Sequence, residues 1–358
     1  MRTTLSAIVL LTTLCLHVLS AASPASDAAR YAAAIDQINA AHLRKPGRVT
    51  EDELRGQIPQ TALRALDRVL KARPSPETAD ALLKCGEAAL DLADMERFQR
   101  IRERLQQVDP DRPDRIGDAV ARDRFLVRGI GDFEAGYLNE FANVTEAILE
   151  AYDEVFGFKE WSKVAGKKIR IRIHLVPEIT RPPHFAPQYP YHSEIDMPVV
   201  DDSEFRSPTP KGQMMFYGLC HELGHLIAMW GDRDTMEDHH AWAHYTGVTI
   251  VEHMSVTPKY RGVLEKLRDA QWRSLSLERR NQGEPSMTDR AGVLATLIRL
   301  HDVAGPRSIG AALNYMEKEA MGHRINHVRY YRFKDLRQAL DQTIDDRQTK
   351  AAVGEVLP

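Results

Sequence analysis

Cysteine is nearly missing from this chain, with three among 358 residues, at positions 15, 85 and 220. Cys15 falls in an N-terminal apolar run, and removal of that run leaves Cys85 and Cys220. Two cysteines do not make a disulfide framework, so stability has to come from packing. A hydrophobic content of 43% is ample for that. The chain also lacks an excess of either charge: 48 Lys and Arg stand against 51 Asp and Glu, a formal net charge of −3. That balance offers no electrostatic footprint for nucleic acid or an anionic membrane. Short basic clusters such as "RKPGR" and "LERRNQ" read as solvated surface. Long hydrophobic runs are missing too, except at the start.

That start, "MRTTLSAIVLLTTLCLHVLSAASPAS", has a positive first region, an apolar run from Leu5 to Leu19, and small residues at Ser20, Ala21 and Ala22. The pattern predicts a secretory signal over 1–22. The run is short for a spanning helix, which sets the competing reading, an uncleaved anchor, behind it. Cys15 sits inside the run behind "TTL", unlike a lipid-attachment cysteine. The expectation is an exported chain, periplasmic or secreted, with no stable membrane insertion after cleavage.

Residues 26–118 are rich in Ala, Leu, Arg and Glu, with proline-bearing breaks at "RKPG", "ARPSP" and "VDPDRP". Pro76 and Pro110 are separated by the period of a tetratricopeptide unit, and Gly86 stands where the first helix of such a unit needs a small residue. The resemblance covers one unit and part of a preceding one. A plain helical hairpin accounts for the pattern equally well, because about three units are needed for a self-sufficient array.

Over 125–345 the pattern changes. "FLV" (Phe125 to Val127) predicts a short strand. "DFEAGYLNEFANVTEAILEAYDEVFG" predicts a long amphipathic helix closed by Gly157. In "KKIRIRIHLVP", Ile169, Ile171, Ile173 and Leu175 alternate with Arg170, Arg172 and His174, the mark of a strand with one apolar and one wet face. "RPPHFAPQYPYH" reads as a loop, and "SEIDMPVV" as a strand whose Pro198 puts it at a sheet edge or at the strand's end. Helices follow from Pro258 onwards. The expected class is α+β, mostly helical, with a small mixed sheet and an active-site helix behind a helical hairpin segment.

The chemistry concentrates in "GLCHELGHLIAMW", Gly218 to Trp230. Residues four apart on a helix lie above one another, so His221 and His225 can place two imidazole nitrogens on one zinc ion at about 2.0 to 2.1 Å. Glu222, at the edge of that face, is positioned to take a proton from water without ligating the metal. The helix is strongly apolar, which makes buried polar groups costly unless partnered. Gly224 inside it costs about 1 kcal/mol relative to Ala and points to close approach of another element or of substrate. Cys220 points about 100° away from His221 and reads as a small buried residue. A catalytic zinc takes three protein ligands and keeps a fourth position for water.

Candidates for the third ligand lie in "EDHHAWAHYTG", Glu237 to Gly247. Asp234 and Glu237 have capping-box spacing, which assigns Glu237 a structural role at a helix start. His240 and His244 then share a face, with His239 turned away. Trp242 reads as a core or pocket-wall residue.

Here the chain resembles a zincin metallopeptidase of the peptidase MA, gluzincin-like type, over roughly Phe125 to Met254. The "HELGH" core carries the likeness, and "HAWAHY" aligns with the second-helix pattern whose glutamate is the third ligand in many such enzymes. Ala243 and Tyr245 fall into register, and His240 stands in the glutamate's place. SprT-like metalloproteases put a third histidine at a similar distance, fifteen residues after His225 in this chain. The resemblance implies a zinc-dependent peptidase in which His221, His225 and His240 hold Zn²⁺ and Glu222 is the general base, acting on a peptide or protein substrate. Glu237, His239 and His244 remain alternatives for the third ligand. A three-histidine site carries one more positive charge than a His-His-Glu site and makes bound water more acidic.

His244, Tyr245, His253 and the later "GHRINHVRYYRF" segment are candidate oxyanion donors. For His323, His327, Tyr330 and Tyr331 the competing reading is an ordinary surface of a C-terminal helix. His42, His184 and His301 have no partner pattern. The rival function is a non-catalytic zinc-containing scaffold or peptide-binding protein that works through the helical repeat. Such a site usually fills the fourth position with a protein ligand, and His244 is the residue to watch.

Overall fold

A computed structural model of the chain describes residues 23–44, 51–111, 117–158, 168–178, 184–186, 194–200, 210–227, 229–230, 236–264, 290–325 and 328–357. The leader and the breaks at 45–50 and 112–116 lie outside them. The chain divides into two compact units at Ile116 and Gly117.

The first unit is helical: α1 (Pro24–Arg44), α2 (Glu51–Gly56), α3 (Gln60–Lys71), α4 (Pro76–Asp91) and α5 (Met95–Val108). Ser75 starts α4, its hydroxyl accepting from the Thr78 amide at 3.1 Å, and Pro76 takes the first helical position, where no intrahelical donor is missed. Asp94 caps α5 in the same way, accepting from the Arg97 amide at 3.2 Å. The turn between the two helices is so tight that Ala93 adopts a left-handed φ of 48°. Ala79, Leu82, Cys85, Gly86 and Ala89 form the buried stripe of α4. Helix α1 packs on α3 and α4. It is tied to α3 by Arg68, which donates to both Asp27 carboxylate oxygens at 2.8 and 2.7 Å.

The second unit is α+β and mostly helical. Its main sheet holds β1 (Asp118–Ala121), β2 (Phe125–Ile130), β3 (Ile169–Leu175), β4 (His184–Ala186) and β5 (Glu194–Val199), in the order β1-β2-β3-β5-β4. β2, β3 and β5 run parallel, and β1 and β4 are antiparallel edges. Phe125, Val127, Ile169, Ile171, Ile173, Ile195, Met197 and Val199 put one face of the sheet in the core. Helix α6 (Tyr137–Phe156) packs on β2, and α7 (Pro210–Ile227) on β4 and β5. Gly157 ends α6 at a φ of 66°, a conformation that glycine takes without strain.

Two expectations need correction here. Of the two places open to Pro198 the strand's end holds, since it is the last residue but one of β5, which lies between β3 and β4; what needs correction is the segment read as a loop, where β4 forms the edge. Among the described residues β4 pairs with Glu194, Ile195 and Asp196, which leaves Pro198 outside that ladder. The Val176 amide donates to the Val199 carbonyl, so Val199 faces β3 and, by alternation, the ring nitrogen of Pro198 faces away from β3, where no ladder donor to β3 is missed. The polar face of β3 is also drier than alternation alone implies. Arg170 and Asp196 are buried, and Asp196 accepts from Arg172 at 2.9 Å and faces His174 Nδ1 at 3.2 Å.

The unit continues through β6 (Met229–Trp230), α8 (Met236–Val256), a short 3-10 turn at Pro258–Tyr260, α9 (Arg261–Leu264), α10 (Arg290–Lys318), β7 (His323–Ile325), β8 (Val328–Tyr331), α11 (Phe333–Thr343) and α12 (Arg347–Val356). Helix α10 is two helical stretches joined across a kink at Gly305, φ 75°, just before Pro306. The "GHRINHVRYYRF" segment is not a helix surface: β7 and β8 form a hairpin, and β8 pairs in parallel with β6 immediately after α7. No described helix is long and apolar enough to cross a membrane.

Candidate metal centre

The site depends on how closely α7 and α8 approach. A Cβ on Gly224 of α7 would stand 2.2 Å from Thr246 Oγ1 and 3.2 Å from the Cα of Ala243, both on α8. A Cβ on Gly247 of α8 would stand 3.2 Å from the backbone N and Cα of His221. Each helix therefore offers a bare backbone to the other, and the close approach that Gly224 suggests is that of a helix. Thr246 cannot swing away cheaply, because its hydroxyl donates to the carbonyls of Trp242 and Ala243 at 3.1 and 3.2 Å.

This contact sets His240 of α8 opposite His221 and His225 of α7. The ring centroids lie 4.8 Å apart for His221 and His225, 5.2 Å for His225 and His240, and 6.1 Å for His221 and His240. One ligand atom from each of the three falls within 4.8 Å of the others. Nitrogens bound at about 2.0 to 2.1 Å to one tetrahedral ion stand roughly 3.4 Å apart, so side-chain rotations of about an ångström would draw the rings onto a common centre. The donor set, three imidazoles, suits zinc. His225 is buried, and His221 and His240 are half-buried, so two of the three histidines keep some exposure.

Glu222 is 6% exposed and its Oε2 lies 3.9 Å from His225 Nε2, beside the cluster but beyond a direct hydrogen bond. Backbone anchors hold the turn that carries these groups. Trp242, fully buried, donates its Nε1–H to the Gly224 carbonyl at 3.1 Å. Tyr152 of α6 donates to the Cys220 carbonyl at 2.6 Å. Trp242 is thus a core residue, packed near Phe156 and Tyr245.

The remaining candidates separate clearly. His244 lies outside the three-residue group that could hold a metal among the described residues, and its Nδ1 is in close hydrogen-bond contact with the Tyr217 hydroxyl. Tyr245 is fully buried, its hydroxyl 2.9 Å from His301 Nδ1. Burial pushes the Tyr245 phenol well up and His301 down, so this pair is neutral packing far more than acid–base machinery. His253 lies thirteen residues beyond His240, about 20 Å along the helix, and faces Glu154 at 3.0 Å. That carboxylate is held at about 2, chiefly by the hydrogen bond from Lys259 and then by His253. Tyr245 and His253 are therefore not oxyanion donors for this cluster. Tyr331 is buried and donates to Glu317, while Tyr330 stacks on His323 at 5.5 Å. The side chains of Glu237 and His239, together with Asp234 and His327, lie outside the described set.

Sequence reasoning missed Tyr217 and Tyr152. Tyr217 stands four residues before His221, and its hydroxyl is 3.4 Å from His221 Nδ1. Helical spacing alone was enough to place it on the row of His221 and His225. Tyr152 reaches the site from a helix 68 residues earlier in the chain, and no local spacing reveals that contact. Comparisons of the chain with protein-family models, with curated proteins and with solved structures return no match.

Proposed function

We propose that the chain is a zinc-dependent metallopeptidase in which His221, His225 and His240 hold Zn²⁺ and Glu222 is the general base. The observation that carries the reading is the convergence of three imidazoles from two helices with a buried carboxylate alongside. Zinc at such a centre supplies Lewis acidity toward water and toward a carbonyl oxygen.

What the chain's own residues contribute follows from their placement. His221 and His225 come from successive turns of one helix and His240 from another, so the three rings approach from different directions and leave a fourth position for water. Glu222 sits next to His221 but is turned about 100° around the helix, close enough to accept a proton from water at that position and pass it to a departing amine. Burial keeps its carboxylate from wandering. The edge strand β4, packed against α7, supplies an antiparallel edge along which an extended substrate can lie. The finer assignment, a zincin-like catalytic domain of an exported protein, belongs to the same proposal. The three-ligand group, with His244 engaged by Tyr217, favours an open centre over the closed four-ligand site of a scaffold.

The test measures bound zinc and cleavage of an unfolded protein substrate in wild type, Glu222→Gln and His240→Ala. Expected are one zinc per chain in wild type, cleavage lost in both variants, and weakened metal only in His240→Ala. Full cleavage by Glu222→Gln would sink the mechanism. Tightly held zinc without cleavage by wild type would favour the scaffold.

A further inference from the structure

We infer that Tyr217 is a positioning residue for the metal centre, fixing the tautomer and orientation of His221, with His244 holding the Tyr217 hydroxyl in turn. This rests on the metal reading of the three-histidine cluster. The observation is one hydroxyl placed between two imidazole Nδ1 atoms, 3.4 Å from His221 and in close contact with His244.

The arrangement follows from helix registry. Tyr217, His221 and His225 lie at steps of four on α7, and His240 and His244 at the same step on α8. Where α7 and α8 meet through Gly224 and Gly247, the ligand layer of His221, His225 and His240 is followed one turn along by a layer of Tyr217 and His244. Tyr217 and His244 are half-buried.

Proton bookkeeping then assigns every role. A neutral imidazole carries one N–H, and a tyrosine hydroxyl carries one proton and accepts elsewhere. If His221 offers Nε2 to a metal, its proton is on Nδ1, and that N–H donates to the Tyr217 oxygen. The hydroxyl proton is then directed to His244 Nδ1, which accepts, leaving His244 protonated on Nε2. Each atom has one compatible role, and the orientation of His221 is set from outside the ligand shell. Partners of this kind are generally worth 10- to 100-fold in metal affinity. The alternative is that Tyr217 only packs, since its ring lies 5.8 Å from those of both His221 and His244.

Tyr217→Phe separates the two, because it keeps the ring and removes the hydroxyl. The measurement is the zinc dissociation constant of the full chain by competition with a chromophoric chelator, for wild type, Tyr217→Phe, His244→Gln and the double variant, with metal-free melting curves alongside. Expected is a loss of about 10- to 100-fold in zinc affinity for Tyr217→Phe, with the metal-free protein still folded and its melting temperature lowered no further than in His244→Gln, which loses the same hydrogen bond. The double variant should be no more than about twofold weaker than Tyr217→Phe, because His244 acts through the hydroxyl. In zinc-loaded wild type, nitrogen-15 NMR should report His221 protonated on Nδ1. Zinc held by Tyr217→Phe as tightly as by wild type would overturn the inference while leaving the metal centre standing, as would His221 protonated on Nε2. Additive losses in the double variant would remove His244 from it. Should Tyr217→Phe not fold, the wild-type tautomer and the His244→Gln affinity decide. No zinc in wild type would overturn the metal reading itself.

Discussion

The hydroxyl of Tyr152 donates a 2.6 Å hydrogen bond to the backbone carbonyl of Cys220, the residue immediately before His221. Burial raises this phenol well above its ordinary value, so it is protonated and a donor at neutral pH. The bond ties α6 to the turn of α7 that carries His221. Tyr152→Phe should lower stability by about 0.5 to 1.5 kcal/mol, the usual net worth of one such bond. Urea unfolding reads this directly, and an unchanged midpoint would show that the contact contributes nothing.

Gly224→Ala sets two effects of opposite sign against each other. Alanine inside a helix is favoured over glycine by about 1 kcal/mol. Here its Cβ would meet Thr246 Oγ1 at 2.2 Å and the Ala243 backbone at 3.2 Å. Overpacking of this kind costs about 1 to 3 kcal/mol, and the Thr246 hydroxyl is held by two carbonyls. The clash should win, giving a less stable protein with α7 and α8 pushed apart. A raised melting temperature would contradict the close packing of these helices. His240 should also lose its register with His221, so zinc affinity should fall along with stability.

Those two residues show what was legible in the sequence and what was not. The helix bearing His221, Glu222 and His225 announces itself through local spacing, as does the strand of alternating isoleucines, because periods of about 3.6 and 2 are written in neighbouring residues. That His240 lies near His221 and His225 was expected from the resemblance of its helix to a known pattern, not from any local period. The edge strand β4 was not: three residues among prolines carry no period of their own, and pairing with β5 decides their state. Nor was the β7–β8 hairpin, whose partner β6 is nearly a hundred residues earlier in the chain. Tyr152 and His301 reach their partners only through tertiary packing, which no short window of sequence contains.

Cys85 and Cys220 are both fully buried and unpaired. Burial pushes the Cys85 thiol up to about 12 and that of Cys220 higher still, so neither has an appreciable thiolate fraction near neutral pH. Thiolate is the reactive form. Neither residue should be labelled by iodoacetamide in the native protein at pH 7, and both should be labelled after unfolding in urea, as read by peptide mass spectrometry. Native labelling of Cys220 would mean that α7 opens locally, with direct consequences for His221 beside it.

The buried carboxylate of Asp27 links pH to the stability of the first unit. Its hydrogen bonds from Arg68 hold it below the usual carboxylate value, against the opposing effect of burial. A group with a depressed folded-state pKa stabilises fully above its unfolded value, about 3.9 for Asp, and loses that contribution as pH falls through the lower folded value. Asp27→Asn has the shape of the protonated acid and cannot titrate. At pH 7 the variant should therefore show faster amide hydrogen exchange in α1 and α3 than wild type. The difference should shrink below about pH 4 and close once the folded carboxylate takes up its proton. A gap that stayed constant from pH 7 down to about 2 would mean that the contact between Asp27 and Arg68 acts through shape alone.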